Sequence, residues 1–400
     1  MYPELFRIPI FGLPVKSYGF MLMIGFLTAI WLSMRRAERV KADPDLVLNI
    51  GFVSLICGVA GARAFYVAHY WQSQFAFLPN PLWSAVNITA GGLEFYGGLL
   101  CAIAGASVYL LIRRASWRMY MDIVAPSVMW GLAFGRAGCF LNGCCWGGLC
   151  VDAQNHAALP WAIRFPYGSP AFVRQWENRQ VTAPAELVFV SPASGEAYPI
   201  PRDLLDMSPE EREGPQRRLA DLREELDKAK LKNPNDPATR KTESQVAALD
   251  ATVRSLKNRL APLQGAQRFP SRVDPSRRIT VSELEDLAAA HPSRPVHPTQ
   301  LYGILNAFLL SWVLSLLFYR RKRHGLVIAM MMVLYPITRI LEEFVRVDNP
   351  HDSFGLTISQ AVSLGVFALG VAVLVILYRS LPLRSPRAVP FIPPEAPAKT

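Results

Sequence analysis

Seven blocks of predominantly apolar residues, each about the length that crosses the hydrocarbon of a bilayer, constrain this chain more than any other feature. They run over 18–35, 46–68, 94–113, 122–141, 298–319, 326–342 and 358–379. In lipid a backbone must satisfy its own polar groups, and a single apolar segment does so only as a helix. The expected fold is therefore all-α, a polytopic membrane protein with seven transmembrane helices. The sixth block is the weakest, being short and ending in Arg339, Glu342 and Glu343. A chain of 400 residues that is 51% hydrophobic could hold two or three soluble domains. Soluble cores, however, do not gather their apolar residues into spans.

The connections set an expected orientation, because Lys and Arg in short loops stay in the cytoplasm. Arg35, Arg36, Arg39 and Lys41 follow the first block, and no Lys or Arg lies between His69 and Leu93. Arg113, Arg114 and Arg118 follow the third, Arg320, Arg321, Lys322 and Arg323 the fifth, and Arg379, Arg384 and Arg387 the last. This alternation places the N-terminus outside and the C-terminus in the cytoplasm. The formal charge of +11 then reflects topology and anionic lipid, and no nucleic acid is expected as a partner. The first block carries its positive charge behind it, whereas a secretory signal carries it ahead, so it is expected to stay as an anchor.

Four regions follow. Residues 1–165 hold the first four spans and the start of an outer loop, and 166–295 form an extracytoplasmic insertion. Residues 296–380 hold the remaining spans, and 381–400 a Pro-rich cytoplasmic tail. Within the insertion, Leu219, Leu222 and Leu226 make one apolar stripe, and Val246, Leu249, Val253, Leu256 and Leu260 another. Asn233–Pro234–Asn235–Asp236–Pro237 separates the two stripes, which predicts a helical hairpin over about 205–262.

Ionisable groups inside spans are costly, roughly 2.5–3.5 kcal/mol for Arg at mid-helix on insertion scales. Arg63, Arg136 and Arg339 lie in the second, fourth and sixth spans, all in their outer halves under the expected orientation. Tyr18, Glu94, Tyr96, His297 and Gln300 fall at the outer ends of the first, third and fifth. A single such arginine can snorkel or pair with a neighbour, and Arg339 with Glu343 four residues on could be a neutralised structural couple. Two arginines at one depth repel each other unless an anion bridges them. A phosphate suits that place, since the guanidinium fork binds two oxygens and keeps its charge.

Gly135-Arg136-x-Gly138-x-Phe140-x-Asn142-Gly143-x-x-x-Gly147 resembles the signature of the prolipoprotein diacylglyceryl transferase family. His297-Pro298-Thr299-Gln300-Leu301-Tyr302 is similar to its second hallmark, Gly91-Gly92-Leu93-Glu94-Phe95-Tyr96-Gly97-Gly98 to a third, and Tyr335-x-x-x-Arg339-x-x-x-Glu343 to a fourth. Tyr18-Gly19 and Gly61-x-Arg63 also fit. The resemblance spans about 1–165 and 295–380. It implies transfer of the diacylglyceryl group of phosphatidylglycerol to the lipobox cysteine of a preprolipoprotein, with glycerol phosphate leaving and neither metal nor cofactor required. It further implies that Arg136, Arg339, Tyr96 and Tyr335 are catalytic, and that Asn142, Tyr18, Arg63, His297, Gln300 and Glu343 join Arg136 in binding substrate.

Three positions depart from the family pattern. Tyr96 stands where well-known members carry a histidine proposed as the base for the thiol, and a phenol with a pKa near 10 is a weak base at neutral pH. Glu94 and His297 are alternatives for that role. Cys139 and Cys144 occupy positions that are often Asn and Glu, and Gly303 replaces the Glu that usually follows the His-Pro-x-Gln-Leu-Tyr motif. Cys139-x4-Cys144-Cys145-x4-Cys150 has neither the paired C-x2-C spacing of structural zinc nor that of redox motifs. A disulfide or simple packing is expected there. The rival functions are a membrane thiol oxidoreductase, which would need these cysteines, and a transporter of an anionic solute, which would show internal repeats.

Overall fold

The computed structural model describes residues 4–7, 14–77, 80–88, 91–154, 156–192, 194–232, 236–346, 355–385 and 387–388. The expected break at Asn233–Asn235 and most of the Pro-rich tail fall outside them. Two compact units emerge, one from Gly148–Pro298 and one from the segments on either side.

The larger unit begins with an antiparallel ribbon, β1 (Glu4–Arg7) and β2 (Pro14–Lys16), leading into α1 (Ser17–Arg39) and α2 (Pro44–Tyr70). A π turn, Trp71–Phe75, extends α2; α3 (Pro81–Val86), α4 (Phe95–Ile112) and α5 (Trp117–Asn142) follow. Local sequence explains the boundaries. Asp43 caps α2 by accepting from the Asp45 amide at 2.8 Å, with Pro44 in the first turn. Ser116 caps α5, and Gly143, at φ 74°, ends it in the left-handed conformation that glycine adopts without penalty.

The chain then forms the Gly148–Pro298 unit. It contains α6 (Pro170–Glu177), the two-stranded β3 (Val188–Val190) and β4 (Ala197–Pro199), α7 (Arg202–Leu205), α8 (Pro209–Lys232), α9 (Pro237–Arg259), α10 (Ala261–Ala266) and α11 (Val281–Ala289). Its core joins Tyr167, Phe172, Leu187, Ile200, Leu205, Leu263 and Leu284, all nearly or fully buried. The Tyr167 hydroxyl donates to the Leu187 carbonyl and accepts from the Ile200 amide, so this buried phenol is satisfied on both sides. The helices α8 and α9 lie side by side, linked by Arg223–Asp250 at 2.6 Å and Lys230–Glu243 at 2.7 Å, with Leu219 and Leu226 buried on the facing stripe.

The larger unit closes with α12 (Thr299–Arg320), α13 (Leu326–Val345) and α14 (Ile358–Arg379). Six helices among the described residues are long and apolar enough to cross a membrane: α1, α2 with its π turn, α4, α5, α12 and α14. Seven were expected from the sequence. The sixth block does form a helix, α13, but Arg339, Glu342 and Glu343 dilute its apolar character. Leu27, Trp31, Ile56, Leu100, Ile112, Leu305, Trp312, Leu341 and Leu369 are all exposed. A soluble protein would bury such side chains, and a bilayer gives them an apolar solvent.

With no hydrophobic drive between helices in lipid, close backbone approach does the packing. A Cβ on Gly61 of α2 would lie 2.3 Å from that of Cys101 in α4, and one on Gly138 of α5 would lie 3.0 Å from the Tyr18 ring. Polar ties complete the bundle. Arg36 of α1 donates to Ser127 Oγ in α5 at 2.5 Å and to Ser315 Oγ in α12 at 3.0 Å. Ser311 Oγ of α12 donates to the Pro126 carbonyl of α5 at 2.8 Å.

Candidate functional site

Arg136, six residues before the end of α5, and Arg339, near the end of α13, are both largely buried, with side chains 13% and 8% exposed. Both meet one carboxylate oxygen. Glu342 Oε2 lies 3.5 Å from Arg136 Nη2 and 4.0 Å from Arg339 Nη1. Arg339 also contacts Glu343 Oε2 at 2.5 Å and donates to Ser359 Oγ of α14 at 2.9 Å. Asn306 of α12 donates to Glu342 Oε1 at 3.0 Å, holding that carboxylate from a third helix. Two guanidinium groups therefore face two carboxylates, and the cluster is neutral as a whole. A pair of unit charges at 4 Å interacts by about 4 kcal/mol at an effective dielectric of about 20, so removing Glu342 would leave two buried cations close together.

Tyr335 sits one turn before Arg339 and interacts electrostatically with Arg136, Arg339, Glu342 and Tyr96. Four of the expected catalytic residues are thus gathered at one place. Gly303 gives Arg136 its path: a Cβ there would lie 3.1 Å from Arg136 Nε and 3.2 Å from its Cγ and Cδ. A side chain at this position would require the Arg136 side chain to give way by a few tenths of an ångström.

Other expected site residues are placed differently. Tyr18, at the start of α1, rests on Gly138 one half-turn beyond Arg136 and interacts with Arg136. Asn142 closes α5 just before the Cys144 turn, and Gln300, fully buried, donates from Nε2 to the Cys144 carbonyl at 2.7 Å. Arg63 spends its guanidinium on four backbone carbonyls, those of Ser84, Ala85, Gly91 and Gly92, at 2.6–2.9 Å. It holds the connection between α2 and α4. Glu94 faces His69 Nδ1 at 3.6 Å. His297 belongs to the Gly148–Pro298 unit, where its amide donates to the Gly148 carbonyl at 3.0 Å.

Glu342 was the residue missed by sequence reasoning. Its signal was present: it stands three residues after Arg339 and so shares that helix face, as Glu343 does at four. All six cysteines are unbridged; of the disulfide or simple packing expected for the cluster, the structure shows packing. Three of the four clustered thiols, those of Cys139, Cys144 and Cys145, converge into one group.

Two buried arginines, brought from separate helices of a multi-pass membrane protein, share one carboxylate within an apolar surrounding. The family model for prolipoprotein diacylglyceryl transferase matches residues 3–376, and the chain belongs to that family. A protein of Rhodopirellula baltica named phosphatidylglycerol–prolipoprotein diacylglyceryl transferase is 29% identical over 92% of this chain and 74% of its own length. Identically named proteins of Photobacterium profundum and Chloroflexus aggregans are 35% and 36% identical, over 40% and 35% of this chain and 56% and 45% of their own lengths. The chain thus aligns with about half the length of the latter two.

Proposed function

We propose that this protein transfers the diacylglyceryl group of phosphatidylglycerol to the thiol of a lipobox cysteine in a preprolipoprotein, the first step of bacterial lipoprotein maturation. The observation that carries this reading is the single carboxylate oxygen shared by Arg136 and Arg339. The gap it fills, between two fork-shaped cations, suits one phosphodiester.

In the reaction, the lipid phosphate takes the place between the guanidinium groups and Glu342 swings aside. The cysteine sulfur attacks the diacylglycerol carbon that carries the phosphate ester. The S–C bond forms as the C–O bond breaks, and the electron pair departs on the phosphate. Arg136 and Arg339 stabilise that charge as it develops, which is where preorganised donors contribute most. The thiol proton goes to a carboxylate. Glu342, released from its ion pairs, is better suited to accept it than the Tyr96 phenol, and so covers for the absent histidine. Tyr335 orients Arg339 and the head group, while Gln300, Asn142 and Tyr18 shape the adjoining wall. Arg63 acts by holding the connection that leads to Glu94 and to Tyr96 in the first turn of α4.

The N-terminus lies outside and the C-terminus in the cytoplasm, as the basic connections imply, with α13 as a seventh span whose arginine is neutralised by its own glutamates. Mass spectrometry of a lipobox peptide incubated with the protein and phosphatidylglycerol tests the activity, the expected product being the diacylglyceryl thioether. Arg136→Ala and Arg339→Ala should each lower transfer by about 10²–10³ or more while the protein still inserts. Near-normal transfer by either variant would remove the phosphate site.

A further inference from the structure

The end of α5 carries a second chemical cluster that the transfer reaction does not use. Cys139, in the last turn of the helix, and Cys144 and Cys145, just beyond it, place their three sulfur atoms within 4.8 Å of one another. We propose that these three thiols form a binding site for one thiophilic d10 metal cation of the zinc or copper(I) type.

The dimensions fit. Metal–sulfur bonds of about 2.3 Å in a trigonal arrangement put the sulfurs about 4 Å apart, so the sulfur–sulfur separations need to close by less than an ångström to surround an ion. Soft thiolate ligands select such cations over calcium or magnesium. Chain spacing alone hid the site, because C-x4-C-C matches no common zinc pattern. The helix end brings the ligands together. Gly143 turns the chain back, and the amides of Gly143 and Cys144 both donate to the Cys139 carbonyl, at 2.9 and 3.1 Å.

The surroundings hold these ligands in place. Cys145 is held at φ 60°, a conformation that a non-glycine residue rarely adopts and that calls for outside support. That support comes from α12, where Thr299 Oγ1 donates to the Cys145 carbonyl and Gln300 Nε2 to the Cys144 carbonyl, each at 2.7 Å. Gln300 Oε1 is buried without a hydrogen-bond partner among the described residues. Charge also matches. A divalent ion displaces three thiol protons to solvent and leaves a complex of net charge −1, and the guanidinium groups of Arg136 and Arg346 both interact with Cys145. Arg346 is held nearby through the bridge between its backbone and Gly147.

Cadmium(II) serves as the probe, titrated into the full-length protein in nanodiscs after reduction with a phosphine and removal of metals. The expected result is an ultraviolet thiolate-to-metal charge-transfer band that saturates at one ion per chain. In the same sample, the ion should slow maleimide alkylation of Cys139, Cys144 and Cys145 together by at least about tenfold, leaving Cys57 and Cys101 unaffected. Cys139→Ser, Cys144→Ser and Cys145→Ser should each abolish the band, and Cys150→Ser should preserve it. The site is overturned if wild type gives no band, if the triple serine variant keeps it, or if alkylation is unchanged by the ion. It is equally overturned if protein isolated without reductant shows two of the three cysteines joined as a disulfide. Should a serine variant fail to fold, the alkylation pattern of the wild type decides the matter.

Discussion

Glu342 concentrates the chemistry of the site into one side chain, since it meets both Arg136 and Arg339 and is steadied by Asn306. Changing it to Gln removes a charge that competes with lipid phosphate and also removes the proposed proton acceptor. Glu342→Gln should therefore lower kcat for transfer by about 10²–10⁴, while KM for phosphatidylglycerol falls or stays level. A wild-type kcat in this variant would end the role of Glu342 as a base, and a raised KM would contradict its competition with phosphate. The two arginines were legible in the sequence because a charge within an apolar span stands out against its neighbours. Glu342 was not, because Glu343 beside it offered an equally good partner for Arg339, and i+3 and i+4 positions share a face. Gly303 was legible as a departure, but that its missing side chain leaves room for Arg136 depends on an approach between α5 and α12 that no local pattern encodes.

At the scale of elements, the apolar blocks located every long membrane helix. The block 46–68 became Pro44–Tyr70, 122–141 became Trp117–Asn142, and 358–379 became Ile358–Arg379. Helices overran their blocks where polar ends continue the hydrogen-bond ladder out of the apolar zone. How α13 is started was invisible beforehand. Gly325, at φ 95°, precedes it, and Asp122 of α5, fully buried, accepts from the amides of Gly325, Val327 and Ile328 at 2.7, 2.9 and 3.1 Å. The same carboxylate meets Arg321 at 3.0 Å. Asp122→Ala leaves three helix-start donors without their acceptor and a buried guanidinium without its counter-ion, and should destabilise the protein by about 3–5 kcal/mol. Thermal unfolding in detergent measures this, and an unchanged midpoint would show that Asp122 is not the anchor.

The neighbouring His324 gives that same connection a pH dependence. Burial, then Arg321, Arg118 and Arg384, push its imidazole down to about 4, and its Nδ1 accepts from the Ser385 amide at 3.3 Å. An unfolded histidine titrates near 6.5, so between the two values the unfolded chain binds more protons. The contribution is complete above about pH 6.5 and is lost as pH falls toward 4. His324→Gln should flatten the slope of thermal stability across that window, and an unaltered slope would assign it to other groups.

Over the whole molecule, the distribution of charge carries information that no single helix does. Basic residues collect in the connections after the first, third, fifth and last blocks, and the stretch from His69 to Leu93 holds none. The proposed lipid site lies toward the ends of α5 and α13 that run away from those basic connections, since Arg136 and Arg339 both fall late in their helices. Orientation and function are therefore coupled: if the basic connections are cytoplasmic, the arginine pair faces the outer leaflet. The count of spans was less legible than their positions, because a helix that carries a buried ion cluster loses the apolar signature by which spans are found. Single cysteines in a cysteine-free background settle the direction. Asn87 and Lys322 are both exposed, the first in a connection without Lys or Arg and the second in a strongly basic one. In intact spheroplasts, a membrane-impermeant maleimide should label Asn87→Cys at once and Lys322→Cys only after permeabilisation. The reverse pattern would turn the arginine pair toward the cytoplasm, on the wrong side to meet an exported lipobox cysteine.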